Sequence, residues 1–304
     1  MNHLTRRTFM SSLAAAATMP ASSEGRAAGP ILMRAIPSTG EQIPAIGLGT
    51  WITFNVGGDE RLRADCAQVM QSFFDLGGAM VDSSPMYGSS ESVIGYCLAH
   101  VTNRKSLFSA TKVWTVFKAL GVQQMETSRH LWGVNRFDLI QIHNLLDWST
   151  HLETLKAMKA QGRVRYIGIT TTQGWRYGAC EEIMGSEPID FVQFSYNAVD
   201  REAEQRLLPL AAERGLAVII NRPFGEGALF DKVKWHPLPP WASEIDCATW
   251  AQYLLKFVIS HPAVTCAIPA TRRVAHMQDN MAALQGRLPD AKMRARMARY
   301  IENL

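Results

Sequence analysis

The chain has 304 residues, of which 47% are hydrophobic and 19% charged, and its formal net charge at pH 7 is +4. This is enough apolar material for one large core, and the basic residues form no stripe, so we expect no nucleic-acid partner. No segment supplies the roughly 20 consecutive apolar residues that a spanning helix needs, so we expect no stable membrane anchor.

The first 28 residues resemble a twin-arginine export signal. Arg6 and Arg7 precede Phe9, and a weakly apolar, alanine-rich run and small-residue cleavage sites follow. We predict that residues 1–28 are a signal peptide that the twin-arginine export machinery recognises and that is then removed. Residues 29–304 would thus reach the periplasm already folded. The alternative is a disordered basic tail.

From residue 31 onward, segments typical of strands and helices alternate. A turn composition at 37–40 separates two short strands, 31–36 and 42–45, and predicts a hairpin over the N-terminal mouth of the domain. Eight strand–helix units then follow without a break, which favours a (β/α)8 TIM barrel over an open doubly wound sheet. The predicted strands are 46–50, 79–82, 107–112, 137–143, 164–170, 191–194, 217–221 and 265–268. The predicted helices are 61–76, 90–100, 122–132, 150–161, 175–184, 202–214, 249–260 and 274–284, and 289–304 adds a C-terminal extra helix.

The five cysteines are scattered, and cysteine and histidine never cluster at the spacing of metal ligands, so we predict no metal. Their odd number forbids complete internal pairing, and low disulfide use suits a protein that folds in the reducing cytoplasm before export. These residues are Cys66, Cys97, Cys180, Cys247 and Cys266.

Ionisable side chains end three of the predicted strands. Asp82, Lys112 and His143 each close a short apolar run, and Tyr87 follows Asp82 by five residues. The carboxyl ends of parallel strands meet on one face of a barrel, so we expect these four side chains to lie together. Taken singly, Asp82 is compatible with a turn cap and His143 with a hydrogen-bonded core histidine. Their joint occurrence favours catalysis.

The four residue types predict an acid that protonates a carbonyl. A free tyrosine has a pKa of about 10 and is a poor acid near neutrality, but an adjacent ammonium stabilises the phenolate. Lys112 would provide that ammonium, and Asp82 would keep Lys112 protonated and oriented. Tyr87 would then act as general acid towards an oxygen that becomes negative after hydride transfer. His143 would hydrogen-bond this oxygen or share the proton.

The order of these segments resembles the aldo/keto reductase family from residue 31 to residue 284. The matching segments are 47–51 (GLGTW), 81–88 (VDSSPMYG), 110–114 (ATKVW), 138–143 (DLIQIH), 168–171 (GITT), 193–197 (QFSYN) and 268–272 (IPATR). The resemblance implies an NAD(P)H-dependent reductase of aldehydes or ketones, whose catalytic residues are Asp82, Tyr87, Lys112 and His143. No Gly-x-Gly-x-x-Gly motif follows a strand, which disfavours a Rossmann site.

By this resemblance the nicotinamide would lie across the barrel mouth, with its carboxamide held by Thr170, Thr171 and Gln193. The family more often carries serine and asparagine at the first two positions, and threonine at the second lacks the amide. Many relatives stack an aromatic ring on the nicotinamide where this chain has Asn221, and Phe224 is the candidate substitute.

The phosphates have two predicted sites. Arg222 and Gly225 lie on the loop after the seventh strand, whose N–H groups and guanidinium suit a pyrophosphate; a plain surface loop is the alternative. The start of the last barrel helix is a natural phosphate site, and guanidinium groups there favour the 2′-phosphate of NADP(H) over NAD(H). Ala270 argues the other way, because many NADP-specific relatives carry lysine there. The predicted adenosine-end residues are Thr271, Arg272, His276 and Asn280. Asn280 would approach the adenine, and a position on the helix surface is its alternative.

Trp51 and Trp114 follow the first and third barrel strands and would wall the substrate pocket, although ordinary packing is the alternative. A segment rich in proline and aromatic residues, 231–241, is a candidate flap and suggests an apolar substrate face. Two functions fit an exported barrel: a carbonyl reductase that carries its bound cofactor, or a cofactor-binding or sensing protein with little or no turnover.

Overall fold

The computed structural model describes residues 29–304, so the predicted signal peptide lies outside the described residues. An antiparallel hairpin comes first, formed by β1 (Met33–Ala35) and β2 (Gln42–Pro44). Gly40 turns the chain with a φ of 75°, which glycine adopts without steric cost. The Thr39 hydroxyl lies 2.8 Å from the Tyr166 hydroxyl near the start of a barrel strand, so the hairpin sits at the N-terminal mouth as predicted.

Eight parallel strands form the second sheet, and their spatial order follows the chain. They are β3 (Leu48–Gly49), β4 (Met80–Asp82), β5 (Phe108–Val113), β6 (Phe137–His143), β7 (Val164–Thr170), β8 (Phe191–Ser195), β9 (Ala217–Asn221) and β10 (Cys266–Ala267). Parallel bridges join Ile46 to Ala267 and Gly49 to Ala270, so the two edges of the sheet meet. This curled sheet and its surrounding helices fit the predicted (β/α)8 barrel.

In the described chain, one α-helix follows each strand from β3 to β8, and two follow each of β9 and β10. The helices are α1 (Glu60–Asp75), α2 (Ser90–His100), α3 (Lys118–Trp132), α4 (Trp148–Ala160), α5 (Tyr177–Ser186), α6 (Leu207–Arg214), α7 (Ala228–Val233), α8 (Trp250–Ile259), α9 (Val274–Ala282) and α10 (Ala291–Glu302). None of these described helices is both long and apolar enough to cross a membrane.

The helices differ from the sequence prediction at three places. Helix α3 begins four residues before the predicted start at 122, because its first turn is exposed and carries no apolar periodicity. The predicted helix 202–214 is divided into a 3-10 turn at 202–204 and α6. Helix α7 was not predicted, since it is only six residues long; it overlaps the start of the candidate flap.

Apolar side chains pack on both sides of the sheet. The interior of the barrel near its N-terminal mouth is filled by a cluster that includes Met80, Phe108, Leu139, Tyr166 and Phe191. A larger cluster joins the outer face of the strands to the helices. All five cysteines are buried and unpaired, so they pack as small apolar residues.

Candidate active site

The structure brings the four predicted catalytic side chains together at the carboxyl ends of β4, β5 and β6. Lys112 Nζ donates to Asp82 Oδ1 at 2.5 Å, and both side chains are buried. The Tyr87 ring centroid lies 5.3 Å from Lys112 Nζ and 5.7 Å from the His143 ring centroid, with the two rings edge to face. Side chains that are separated by up to 61 positions in sequence therefore share one site.

A buried network that the sequence prediction missed surrounds Asp82. Its second carboxylate oxygen accepts from Gln141 Nε2 and from Gln193 Nε2, each at 3.2 Å. Lys112 also donates to the Ser83 carbonyl at 2.8 Å. Burial is the largest single effect and would lower the pKa of Lys112, but the contacts with Asp82 and Tyr87 together outweigh it and the pKa is raised. Lys112 is therefore a fixed cation below the tyrosine.

Tyr87 differs from the sequence expectation in one respect: its pKa is raised, not lowered. Burial disfavours the phenolate and is the largest cause, whereas Lys112 lowers the pKa and Asp82 raises it. Asp82, at 2.5 Å from Lys112, offsets part of the stabilisation that the ammonium gives the phenolate, so desolvation remains the largest effect on the pKa of Tyr87. Tyr87 thus keeps its proton at neutral pH, which is the form that a proton donor requires.

His143 is neutral in this site. Burial and the nearby Lys112 charge lower its pKa from 6.5 to about 3. Its Nδ1 lies 2.8 Å from the hydroxyl of Ser84, another buried residue that the sequence prediction did not include. A serine two residues after Asp82 carries no signal of this role until the fold places it against β6.

An open cavity of about 150 Å³ lies above these residues. Trp51, Tyr87 and His143 line one part of it, and Gln193, Arg222, Phe224, Pro269 and Ala270 line others. Trp51 and Met86 are 39% and 40% exposed, so this mouth has an apolar wall. Trp114, the other predicted wall residue, is 41% exposed but does not line this cavity in the described chain.

The predicted nicotinamide residues lie on neighbouring strands. Thr170 donates its hydroxyl proton to Gln193 Oε1 at 3.1 Å, and Gln193 lines the cavity. Thr171 is buried, and its hydroxyl lies 3.4 Å from the Gln173 carbonyl, so the cavity is lined by Thr172 instead. Asn221 faces the same cavity and accepts a hydrogen bond from Ser195 at 2.8 Å.

The loop after β9 has an unusual backbone. Arg222 and Glu226 adopt φ values of 50° and 58°, in the left-handed region, and Gly225 has a φ of 56°. Arg222 Nη2 forms an ion pair with Glu226 Oε1 at 2.8 Å, and both side chains are well exposed. An exposed ion pair of this kind contributes little stability, so a phosphate can replace the carboxylate on the guanidinium. Phe224 lines the cavity and packs on Phe230 with ring centroids 4.7 Å apart.

The predicted adenosine-end residues continue from the cavity wall at Ala270 into α9. The Thr271 hydroxyl accepts from the Arg273 N–H at 3.1 Å and shapes the approach to the helix. Arg272 and His276 are exposed, whereas Asn280 is buried in α9. The guanidinium of Arg272 is therefore available to an anion at this end of the molecule.

This arrangement can protonate an oxygen at the bottom of a cavity. A protonated tyrosine and a neutral histidine lie side by side, and a fixed ammonium lies behind the tyrosine.

Within residues 29–304, no three histidine, cysteine, aspartate or glutamate side chains are grouped so that they could hold a metal ion.

Comparison with known proteins places these features in a family context. The model of the aldo/keto reductase family matches residues 45–298. Methylglyoxal reductase YeaE of Escherichia coli (strain K12) is 27% identical over 260 residues, which cover 83% of this chain and 89% of that protein. Aldo-keto reductase YhdN of Bacillus subtilis (strain 168) is 26% identical over 216 residues, covering 65% of this chain and 63% of that protein. A crystal structure of an aldo-keto reductase from Klebsiella pneumoniae in complex with NADPH has a TM-score of 0.71 and 24% identity, covers 86% of this chain and 92% of that chain, and supports the fold.

Proposed function

Since this chain belongs to the aldo/keto reductase family and is an NAD(P)H-dependent oxidoreductase, we propose that it reduces an aldehyde or ketone to an alcohol, with NADPH as hydride donor and Tyr87 as general acid. The observation that carries the proposal is the position of Tyr87, which lines an open cavity with its ring centroid 5.3 Å from Nζ of the buried Lys112–Asp82 pair.

The residues around the cavity fit a nicotinamide nucleotide. Gln193 presents an amide at the cavity, and the left-handed backbone after β9 places Arg222 at its edge. Backbone N–H groups in such a turn, together with a guanidinium, suit a pyrophosphate. When bound, the nucleotide supplies a hydride to the carbonyl carbon.

Tyr87 then donates its phenolic proton to the carbonyl oxygen as negative charge develops there. The ammonium of Lys112 stabilises the phenolate that remains, which lowers the barrier in the direction of reduction. Asp82 holds that ammonium in place at 2.5 Å. His143, which is neutral, contributes a hydrogen bond and not a proton.

Replacing Tyr87 by phenylalanine tests the assignment, because it removes the proton and keeps the ring. We expect turnover to fall by about 10²-fold or more, the scale of general-acid catalysis, while NADPH affinity stays within a factor of about two. Tyr300→Phe, in α10 and remote from the cavity, is the matched control. Unchanged turnover in Tyr87→Phe would reject the assignment of Tyr87 as general acid. Bound nucleotide without turnover in the parent protein would favour the sensing alternative.

For the cofactor, we infer a preference for NADPH that depends on Arg272. The side chain is exposed beside Thr271 at the approach to α9. A charge-assisted contact to a 2′-phosphate is worth roughly 1.5–3 kcal/mol, or about 10- to 100-fold in affinity. Titrating NADPH and NADH against the parent protein and Arg272→Ala measures this. Equal affinities in the parent protein would remove the 2′-phosphate argument, and a preference that survives in the variant would move the contact to Arg273 or His276.

For the substrate, we propose a carbonyl compound with an apolar substituent. Trp51 and Met86 line the cavity close to Tyr87 and expose apolar surface to it. A relative bears the name methylglyoxal reductase, so methylglyoxal is the small polar comparison. We expect a higher kcat/KM with phenylacetaldehyde than with methylglyoxal, and Trp51→Ala should reduce this difference. A preference for methylglyoxal in the parent protein would reject the apolar assignment.

For localisation, we propose export through the twin-arginine pathway to the periplasm. Support comes from the sequence, in which Arg6 and Arg7 precede Phe9 and an alanine-rich run. Replacing both arginines by lysine should hold the protein in the cytoplasm, as fractionation and blotting would show. Periplasmic accumulation of the double variant would contradict the signal.

A further inference from the structure

The buried hydroxyl of Ser84 contacts the catalytic residue His143, although Ser84 itself is not one of the four catalytic residues. Ser84 is fully buried, and its Oγ lies 2.8 Å from His143 Nδ1. The same oxygen accepts a hydrogen bond from the Met86 N–H at 3.2 Å. Ser84 therefore links the loop after β4 to the end of β6.

Proton accounting decides the direction of the serine–histidine bond. A hydroxyl has one proton to donate and two lone pairs that accept. The Met86 N–H can only donate, so it uses one lone pair. Among the described residues, His143 Nδ1 is the one acceptor within hydrogen-bond distance of the Ser84 proton. If Nδ1 carried the proton, Ser84 would accept twice and bury its own proton without a partner, which is unfavourable.

The other ring nitrogen faces the cavity. Nε2 lies on the side of the imidazole away from Nδ1, and His143 lines the cavity beside Tyr87. Within the described chain, Nε2 has no hydrogen-bond partner. It is also not one of the fully buried polar atoms, so solvent reaches it. This nitrogen is thus accessible from the position where a carbonyl oxygen would meet the tyrosine.

We propose that Ser84 is a positioning residue, which donates its hydroxyl proton to His143 Nδ1 and so fixes the imidazole as the Nε2–H tautomer. This inference rests on the proposed function, because the Nε2–H then donates to the same substrate oxygen that Tyr87 protonates. With the proton on Nδ1, the Nε2 lone pair would face the lone pairs of that oxygen and repel it. A free neutral histidine can carry its proton on either ring nitrogen. The contact with Ser84 selects Nε2, so that His143 donates a hydrogen bond towards the cavity.

Long-range 1H–15N NMR of histidine-labelled full-length protein tests the tautomer directly. The His143 signals are assigned by their loss in His143→Asn. We expect Nε2 to give a protonated, pyrrole-type signal and Nδ1 a hydrogen-bonded, pyridine-type signal. A protonated Nδ1 in the parent protein would overturn the proposal, and this reading is independent of any variant and of turnover.

The variant Ser84→Ala tests the consequence. We expect its Nδ1 signal to move to the position of a pyridine-type nitrogen without a donor. We also expect kcat to fall by about 10-fold, the scale of one lost hydrogen bond, with NADPH affinity unchanged within about twofold. Ser90→Ala is the matched control: it removes a buried hydroxyl at the start of α2, which contacts the Ser83 hydroxyl at 3.1 Å and not the histidine. Unchanged Nδ1 signal and kcat in Ser84→Ala would overturn the proposal.

The two proposals fail separately. If Tyr87→Phe retains turnover, the general-acid assignment is lost, yet the His143 tautomer in the parent protein still reads out the Ser84 contact. If the tautomer is wrong while Tyr87→Phe is inactive, the reductase proposal stands and the role of Ser84 is lost.

Discussion

The neutral state of His143 should make the protein sensitive to acid, and the variant His143→Gln should remove part of that sensitivity. The folded protein lowers the pKa of His143 from 6.5 to about 3. Between these two values the unfolded chain binds a proton at this position and the folded chain does not. The stability is therefore complete above pH 6.5 and is lost as the pH falls towards 3.

The size of the effect follows from the shift. One proton bound only in the unfolded state costs about 1.4 kcal/mol of unfolding free energy per pH unit. Over the 2.5 units from pH 6.5 to pH 4, His143 alone accounts for about 3 kcal/mol at most. Carboxylates add their own acid dependence, but they do so equally in the parent protein and in the variant.

Urea unfolding at pH 7, 6, 5 and 4 measures this difference. We expect His143→Gln to lose about 3 kcal/mol less than the parent protein over that range, whatever its stability at pH 7. His100→Gln, at the exposed end of α2, reports what the loss of a surface imidazole does to the same curve. Parallel curves for His143→Gln and the parent protein would show that His143 is not held neutral, and would refute the reasoning.

Three further changes have defined outcomes. Lys112→Met should cost about 3–5 kcal/mol in urea unfolding because it leaves Asp82 buried without its partner, and adding Asp82→Asn should restore much of that loss; equal stability of the single and double variants would contradict the ion-pair account. The rate of carbonyl reduction at saturating NADPH should show no alkaline decline below about pH 10, because the pKa of Tyr87 is raised; a decline near pH 7–8 would argue against Tyr87 as the proton donor. Gly95→Ala should lower the thermal midpoint, since the added Cβ would lie 1.9 Å from the Leu131 carbonyl oxygen. Gly178→Ala adds a Cβ in open space and should stabilise α5 by about 0.5–1 kcal/mol. Similar midpoints for the two variants would contradict the packing argument.

The sequence by itself determined the order of strands and helices and the positions that close the strands. Apolar runs report which segments are buried, so the residues that end them, such as Asp82, Lys112 and His143, could be named before their distances were known. Parallel strands place their carboxyl ends on one face, and for that reason a shared site could be predicted without coordinates. The helices with exposed first turns and the six-residue α7 were misjudged because periodicity needs several buried positions to be visible.

Only the tertiary structure decided which partner each polar group meets. Gln141 reaches Asp82 across 59 positions, and Ser84 reaches His143 across the same separation, because strand register and barrel closure bring them together. No local pattern records such a pairing. The pKa of Tyr87 was likewise undecided, since the charge of Lys112 predicts a lower value and burial a higher one. The fold places Asp82 against that charge and leaves desolvation as the larger effect, and a balance of this kind exists only when all three groups occupy one volume.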